Sequence, residues 1–120
     1  MAADLDMSAR ANLPFQVIAV TTSAVKKVLL ARRRKYVLRH SGIQDDASTA
    51  GVAGDYVVLM QQADSMVASM AAGRKVPIRM SGPDVIIDGG DAAPGSDGAH
   101  EIQLKAVTHG AMIEIFSWPK

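Results

Sequence analysis

Short apolar runs with a period of two constrain this chain more than any other feature. Val76, Ile78 and Met80 alternate with Lys75, Pro77 and Arg79, and Ile102, Leu104 and Ala106 alternate with Gln103 and Lys105. Side chains two apart lie on one face of a strand, so this pattern suits half-buried strands and no helix. Phe15 to Thr22, Lys35 to Ser41 and Met112 to Trp118 are rich in β-branched or aromatic residues and read as further strands. Asp55 to Met60 is a nearly continuous apolar run, expected of a central strand packed on both faces. Pro77 cannot donate to a ladder, which predicts an edge strand or a bulge at 75–80. Val85 to Asp88 adds a short strand after the Ser81-Gly82-Pro83-Asp84 turn. The expectation is an all-β fold: a single antiparallel β-sandwich, jelly-roll-like, of about eight short strands.

Other segments are less determined. Ser23 to Lys35 fits a helix through Val25, Val28, Leu29 and Arg32, but Val25, Lys27 and Leu29 also fit one strand face, and strand is favoured because its flanks are β. Ser65 to Ala72 fits one or two helical turns or a further strand. Thr108-His109-Gly110 reads as the tight turn of a hairpin between the last two strands, and residues 43–54 and 89–99 read as loops. Residues 1–14 read as an N-terminal arm, with a helical stretch over Leu5 to Ala11 as an option, followed by a β-sandwich domain over 15–120.

A length of 120 residues suits one domain, and a hydrophobic content of 48% predicts a folded core. The formal net charge of +1 speaks against non-specific nucleic-acid binding, which needs many phosphate contacts. The chain has no cysteine, so disulfides, thiolate metal sites and cysteine nucleophiles are excluded; folding in a reducing cytoplasm is expected. No apolar run has the length of a membrane span, and the first ten residues, with Asp4 and Asp6, lack the apolar core of a secretory signal.

Chemistry-bearing residues are few. Arg32, Arg33, Arg34 and Lys35 form the one dense charge cluster, to be read either as a solvated turn or as a contact for an acidic or phosphate-bearing partner. No aromatic residues interleave with it, so a base-stacking platform is not expected. His40, His100 and His109 lack the close His-x-His spacing of a metal-bound jelly roll, and Glu101 should face away from His100. Asp84, Asp88, Asp91 and Asp97 lie in or beside a Gly-rich stretch without the regular spacing of a calcium loop. No nucleophile elbow and no phosphate-binding loop is present. The sequence therefore predicts no cofactor, no metal and no catalysis. Met60, Met66, Met70, Met80 and Met112 read as core or interface filler.

Two segments, Arg33-Arg-Lys-Tyr-Val-Leu-Arg-His-Ser-Gly42 and Leu104-Lys-Ala-Val-Thr-His-Gly-Ala-Met-Ile-Glu-Ile-Phe-Ser-Trp118, resemble small β-sandwich structural proteins of tailed-phage particles. The first is similar to that family's basic residue leading into an alternating strand, with His40-Ser41 where the family usually has Asn. The other is similar to its closing hairpin, which ends near a Trp. The resemblance carries over no site. It implies a non-enzymatic virion structural protein, such as a capsid decoration, head fibre or neck or tail component. Such a protein would be made in the host cytoplasm, form a homo-oligomer and dock on the major capsid protein or another virion protein of a bacteriophage. The residues expected at such a contact are Leu5, Met7 and Leu13 of the arm, Arg32, Arg33 and Arg34 of the basic cluster, and Phe116 and Trp118 near the C-terminus, with loops 43–54 and 89–99 beside them. A carbohydrate-binding β-sandwich module is the rival reading, set against an aromatic content of 4%; a small jelly-roll metalloenzyme is the third.

Overall fold

The computed structural model describes residues 4–7, 15–31, 34–60, 75–88, 93–94 and 100–119. The strands in chain order are β1 (Leu5–Asp6), β2 (Phe15–Val20), β3 (Lys26–Leu30), β4 (Arg34–His40), β5 (Tyr56–Met60), β6 (Lys75–Arg79), β7 (Val85–Asp88), β8 (Ala93–Pro94), β9 (His100–Ala106) and β10 (Ala111–Pro119). No helix occurs among the described residues. One sheet runs β1-β3-β9-β5-β6, with β8 paired to β9; the other runs β2-β10-β4-β7. All pairs are antiparallel except β1 with β3.

The pairing is nested. β5 pairs with β6, β4 with β7, β3 with β9 and β2 with β10, so the first half of the chain folds back along the second like one long hairpin. Rolling that hairpin up gives the two-sheet jelly roll. The all-β sandwich predicted from the alternating runs is therefore the fold, and β6, with Pro77, is a terminal strand of its sheet.

The hairpin expected around Thr108-His109-Gly110 is corrected. β9 belongs to the first sheet and β10 to the second, so residues 107–110 cross between sheets. The short Gly-containing link is compatible with both geometries. The partners decide: β9 is held by β3 and β5, and β10 by β2 and β4.

Between the sheets, Ile18, Val20, Val28, Leu30, Tyr36, Leu38, Val57, Leu59, Ile78, Ile87, Ile102, Leu104, Ile113 and Ile115 form one buried core. In β3 it is Val28 and Leu30 that face this core, while Leu29 is buried on the opposite face with Lys27 beside it. β5 is buried on both faces, with Val58 and Met60 packing with Val25 and Tyr56 outside the main core.

The arm also differs from expectation where it is described. Leu5–Asp6 is strand rather than helix, laid parallel on β3, and Asp4 N–H and Met7 N–H donate to the carbonyls of Lys27 and Leu29. Asp4 Oδ2 in turn accepts the Lys27 N–H at 2.8 Å. Met7 is 1% exposed and Leu5 packs beside it on the core. Residues 4–7 are thus part of the sandwich. Residues 8–14, including Leu13, and the Ser65 to Ala72 segment lie outside the described residues.

Candidate docking surface

The two faces of a strand alternate, so the second sheet has an outer face made of Phe15, Val17 and Ala19 on β2, Met112, Glu114, Phe116 and Trp118 on β10, Lys35, Val37 and Arg39 on β4, and Ile86 on β7. Register turns this set into rows. Phe15 pairs with Phe116, Phe116 with Val37, and Val37 with Ile86, so one apolar row crosses all four strands. The Phe15 and Phe116 rings lie 5.0 Å apart at 45°. Ile86, at the end of the row, is 66% exposed. Among the described residues seven large hydrophobic side chains are exposed, and four of them, Phe15, Val17, Ile86 and Trp118, stand on this face. Apolar side chains gathered in register on one sheet face mark an interaction surface more strongly than the same number scattered.

Charged rows flank the apolar one. On one side Val17 pairs with Glu114 and Glu114 with Arg39. Arg39 reaches Asp84 through a two-pronged hydrogen bond, Nε donating to Oδ1 at 2.9 Å and Nη2 to Oδ2 at 2.8 Å. That bond holds the Asp84 carboxyl below the usual carboxylate range. The Arg39 guanidinium also lies 5.1 Å from the centre of the Phe116 ring, which suits a cation–π contact. On the other side Trp118 pairs with Lys35. Val37, Arg39, Asp84, Phe116, Ser117 and Trp118 line a shallow cleft of about 350 Å³. No known protein-family model and no curated protein matches this chain.

The predicted contact residues scatter across this geometry. Phe116 and Trp118 share the outer face, and Trp118 is 42% exposed. Arg34 faces the other way, into the end of the sandwich: its Nε donates to Ser117 Oγ at 2.6 Å, and Ser117 also hydrogen bonds to the buried Tyr36. Tyr36 accepts the Ala31 N–H at 2.7 Å, and burial raises the pKa of its phenol above the ordinary value. Arg32 and Arg33 lie outside the described residues. Met7 is corrected as a contact: a thioether sealed in the chain's own core has no surface to offer a neighbour. Leu5 is half-buried against the same core. Loop 43–54 is held by an Ile43–Ala50 bridge and by Asp46, whose carboxylate accepts from the Thr49 hydroxyl and the Ser48 and Thr49 N–H groups and so titrates at about 2.

The sequence does not single out Phe15, Val17, Arg39 and Ile86 as exposed residues of this face, and Val37 lies buried beneath them. Alternation within Phe15 to Val20 already puts Phe15 and Val17 on one face, but nothing local says that this face lies beside Phe116.

A second polar group closes one end of the sandwich. His109 Nδ1–H donates to Asp55 Oδ1 at 2.9 Å, and Asp55 Oδ2 accepts the Val52 N–H at 2.9 Å. These hydrogen bonds, the one from His109 first, hold the Asp55 carboxyl below its usual range. The pair ties the 107–110 crossover to the start of β5. Nearby, His40 is buried; its Nδ1 accepts the Gly42 N–H at 3.0 Å, and its Nε2 has no hydrogen-bond partner. Gly42, with a φ of 83°, makes the turn that brings its N–H back onto the ring. A Cβ on Gly110 would collide with the Asp45 carboxylate, so the crossover and loop 43–54 are fitted to each other. Among the described residues no three His, Asp or Glu side chains are grouped to hold a metal ion. Asp84 of the candidate calcium set is engaged with Arg39, and Asp91 and Asp97 lie outside the described residues.

Proposed function

We propose that this chain is a non-enzymatic structural domain that docks on a larger assembly through the outer face of its second sheet, and that the assembly is a phage particle. The exposed apolar side chains of this face, Phe15, Val17, Ile86 and Trp118, carry the reading. Leaving them in water forgoes roughly 25 cal/mol per Å² of apolar area, a gain that a docking partner recovers. The jelly roll recurs in viral capsid and lectin domains, which supports the particle by analogy. The likeness of 33–42 and 104–118 to small β-sandwich proteins of tailed phages adds to it. The test is quantitative mass spectrometry of purified particles, followed by adding back protein to particles that lack it. Wild-type protein should fill its sites and Ile86→Lys should not; absence of the chain from particles would defeat the phage reading.

Trp118 favours one second reading. Although aromatic content is only 4%, three of the five aromatic residues, Phe15, Phe116 and Trp118, share this face, and Trp118 and Phe116 line the cleft with Arg39 and Asp84. An exposed ring beside a polar pair is also how a lectin-type sheet holds a sugar. Calorimetry against a glycan panel decides: binding that Trp118→Ala abolishes supports the lectin, and no binding removes it.

A further inference from the structure

We propose that the occupant of this face is a second copy of the chain, related to the first by a two-fold axis running parallel to the strands. This rests on reading the face as a docking surface and names what it docks.

A two-fold interface uses the same patch on both copies, so every contact must be judged by what each residue meets across the axis. With face-to-face packing, an axis parallel to the strands reverses the strand order and keeps the rows. β2 then lies over β7 of the second copy, and β10 over β4. The apolar row meets itself, Phe15 against Ile86 of the second copy and Phe116 against Val37 of the second copy. In the next row Glu114 meets Arg39 of the second copy, twice by symmetry. Glu114 and Arg39 are also cross-strand neighbours within one chain, so the four charges form a square of alternating sign. In the third row Trp118 meets Lys35 of the second copy, a cation over a ring that is open to receive it.

The other in-plane axis, perpendicular to the strands, keeps the strand order and exchanges the flanking rows. It sets Arg39 against Lys35 of the second copy, with like charges opposed twice. The pattern of charge therefore selects one of the two symmetric arrangements, as charge patterns at specific interfaces do by disfavouring the wrong one.

The size of the patch sets the strength. Four strands at about 4.8 Å and three rows at roughly 6.7 Å cover about 400 Å² of flat face, near half of the ~800 Å² per partner of a standard interface. Such a dimer is weak and concentration-dependent, a contact suited to a lattice in which many copies are held close together.

Sedimentation equilibrium over a roughly hundredfold range of concentration, with melting curves as a check on folding, tests the proposal. Wild-type protein should pass from monomer to dimer across that range. Glu114→Arg and Arg39→Glu should each weaken self-association by about tenfold or more, because each sets like charges against each other twice. An equimolar mixture of these two variants should recover dimers. In the mixed pair, position 114 and position 39 carry the same charge within each chain and the opposite charge across the axis, so both contacts are attractive. A mixture that stays monomeric overturns the axis. Wild-type protein that is monomeric throughout overturns the second copy as occupant. If Ile86→Lys still lowers occupancy on particles in that case, the docking reading stands without the dimer; if occupancy is unchanged, both fall.

Discussion

On the outer face of the first sheet Glu101 and Gln103 are buried together with Leu29, Val58 and Met60, whereas on the outer face of the second Phe15, Val17, Ile86 and Trp118 are exposed. Each face reverses the usual link between residue type and burial, in opposite senses. The first can bury its polar groups because they satisfy one another. Glu101, 2% exposed, accepts from Gln103 Nε2 at 3.0 Å and lies 3.5 Å from Lys27 Nζ. The second carries its charges at the margins, where Arg39 and Asp84 pair in the open, and leaves Phe15, Val17, Ile86 and Trp118 exposed. The same strand geometry thus yields one face already closed within the chain and one that is still open. Alternation along a strand marks its two faces but does not encode which of them is buried.

The largest expected effect comes from the buried methionines. Met60→Ala on the closed face and Met7→Ala in the core should each cost about 2–5 kcal/mol in urea unfolding, as truncation of a large buried side chain does. The Met7 result also separates a strand that belongs to the sandwich from an arm held only by a neighbour. An effect near zero at Met60 would mean that the first face is open after all.

Glu101→Ala should cost about 1–3 kcal/mol, because it removes the buried carboxylate that accepts from Gln103 Nε2 and lies beside the Lys27 ammonium. Glu101→Gln, which keeps an acceptor, should cost less. Equal losses would show that the charge, rather than the hydrogen bond, supports the closed face.

Acid should separate the fold from the open face. Burial lowers the pKa of His40, so below its unfolded value of about 6.5 the unfolded chain binds more protons and stability falls with pH. Protonating Nδ1 also removes the acceptor of the Gly42 N–H. Asp55, lowered by His109, contributes stability that is present above its unfolded value and lost as pH falls through its folded one. Melting temperature should therefore drop between about pH 7 and 5.5 through His40, and further below about pH 4 through Asp55. Asp84, also lowered by its hydrogen bonds from Arg39, stays ionised through the first window, so the Arg39–Asp84 pair on the open face should not change there. A His40→Phe variant that keeps the first drop would assign it elsewhere.

The smallest effect on stability belongs to the open face. Ile86→Ala should change unfolding free energy by no more than about 0.5 kcal/mol, as exposed substitutions usually do. The same variant should still weaken docking, and a loss of stability without a loss of docking would invert the comparison.

Much of this architecture is legible in the residues themselves. A period of two marks β6, β9 and β10 as strands and names their core side chains, because backbone geometry sends neighbouring side chains to opposite faces. Ile102, Leu104, Ile113 and Ile115 are where that rule places them. Turn chemistry at Gly42 and Ser81-Gly82-Pro83-Asp84 ends strands for equally local reasons. Phe116 and Trp118 stand out in the sequence as aromatic residues near the C-terminus, and both lie on the outer face of the second sheet.

Pairing was not legible. Alternation says that a strand has two faces but not which strand lies beside it, and β9 followed by β10 reads as a hairpin until each is found in a different sheet. Nested pairing of β2 with β10 joins residues about a hundred positions apart, and that choice is made by the shared core. Arg34 shows the same limit, since its place in the basic cluster suggests solvent, yet its position on β4 turns it toward Ser117. Local chemistry thus determined the longer alternating strands and their two faces, but not β1 or β8, which fall in segments that read as an arm and a loop. Only the packing of the two sheets decided that Phe15, Phe116, Val37 and Ile86 fall into one row, because register between distant strands is a property of the assembled core.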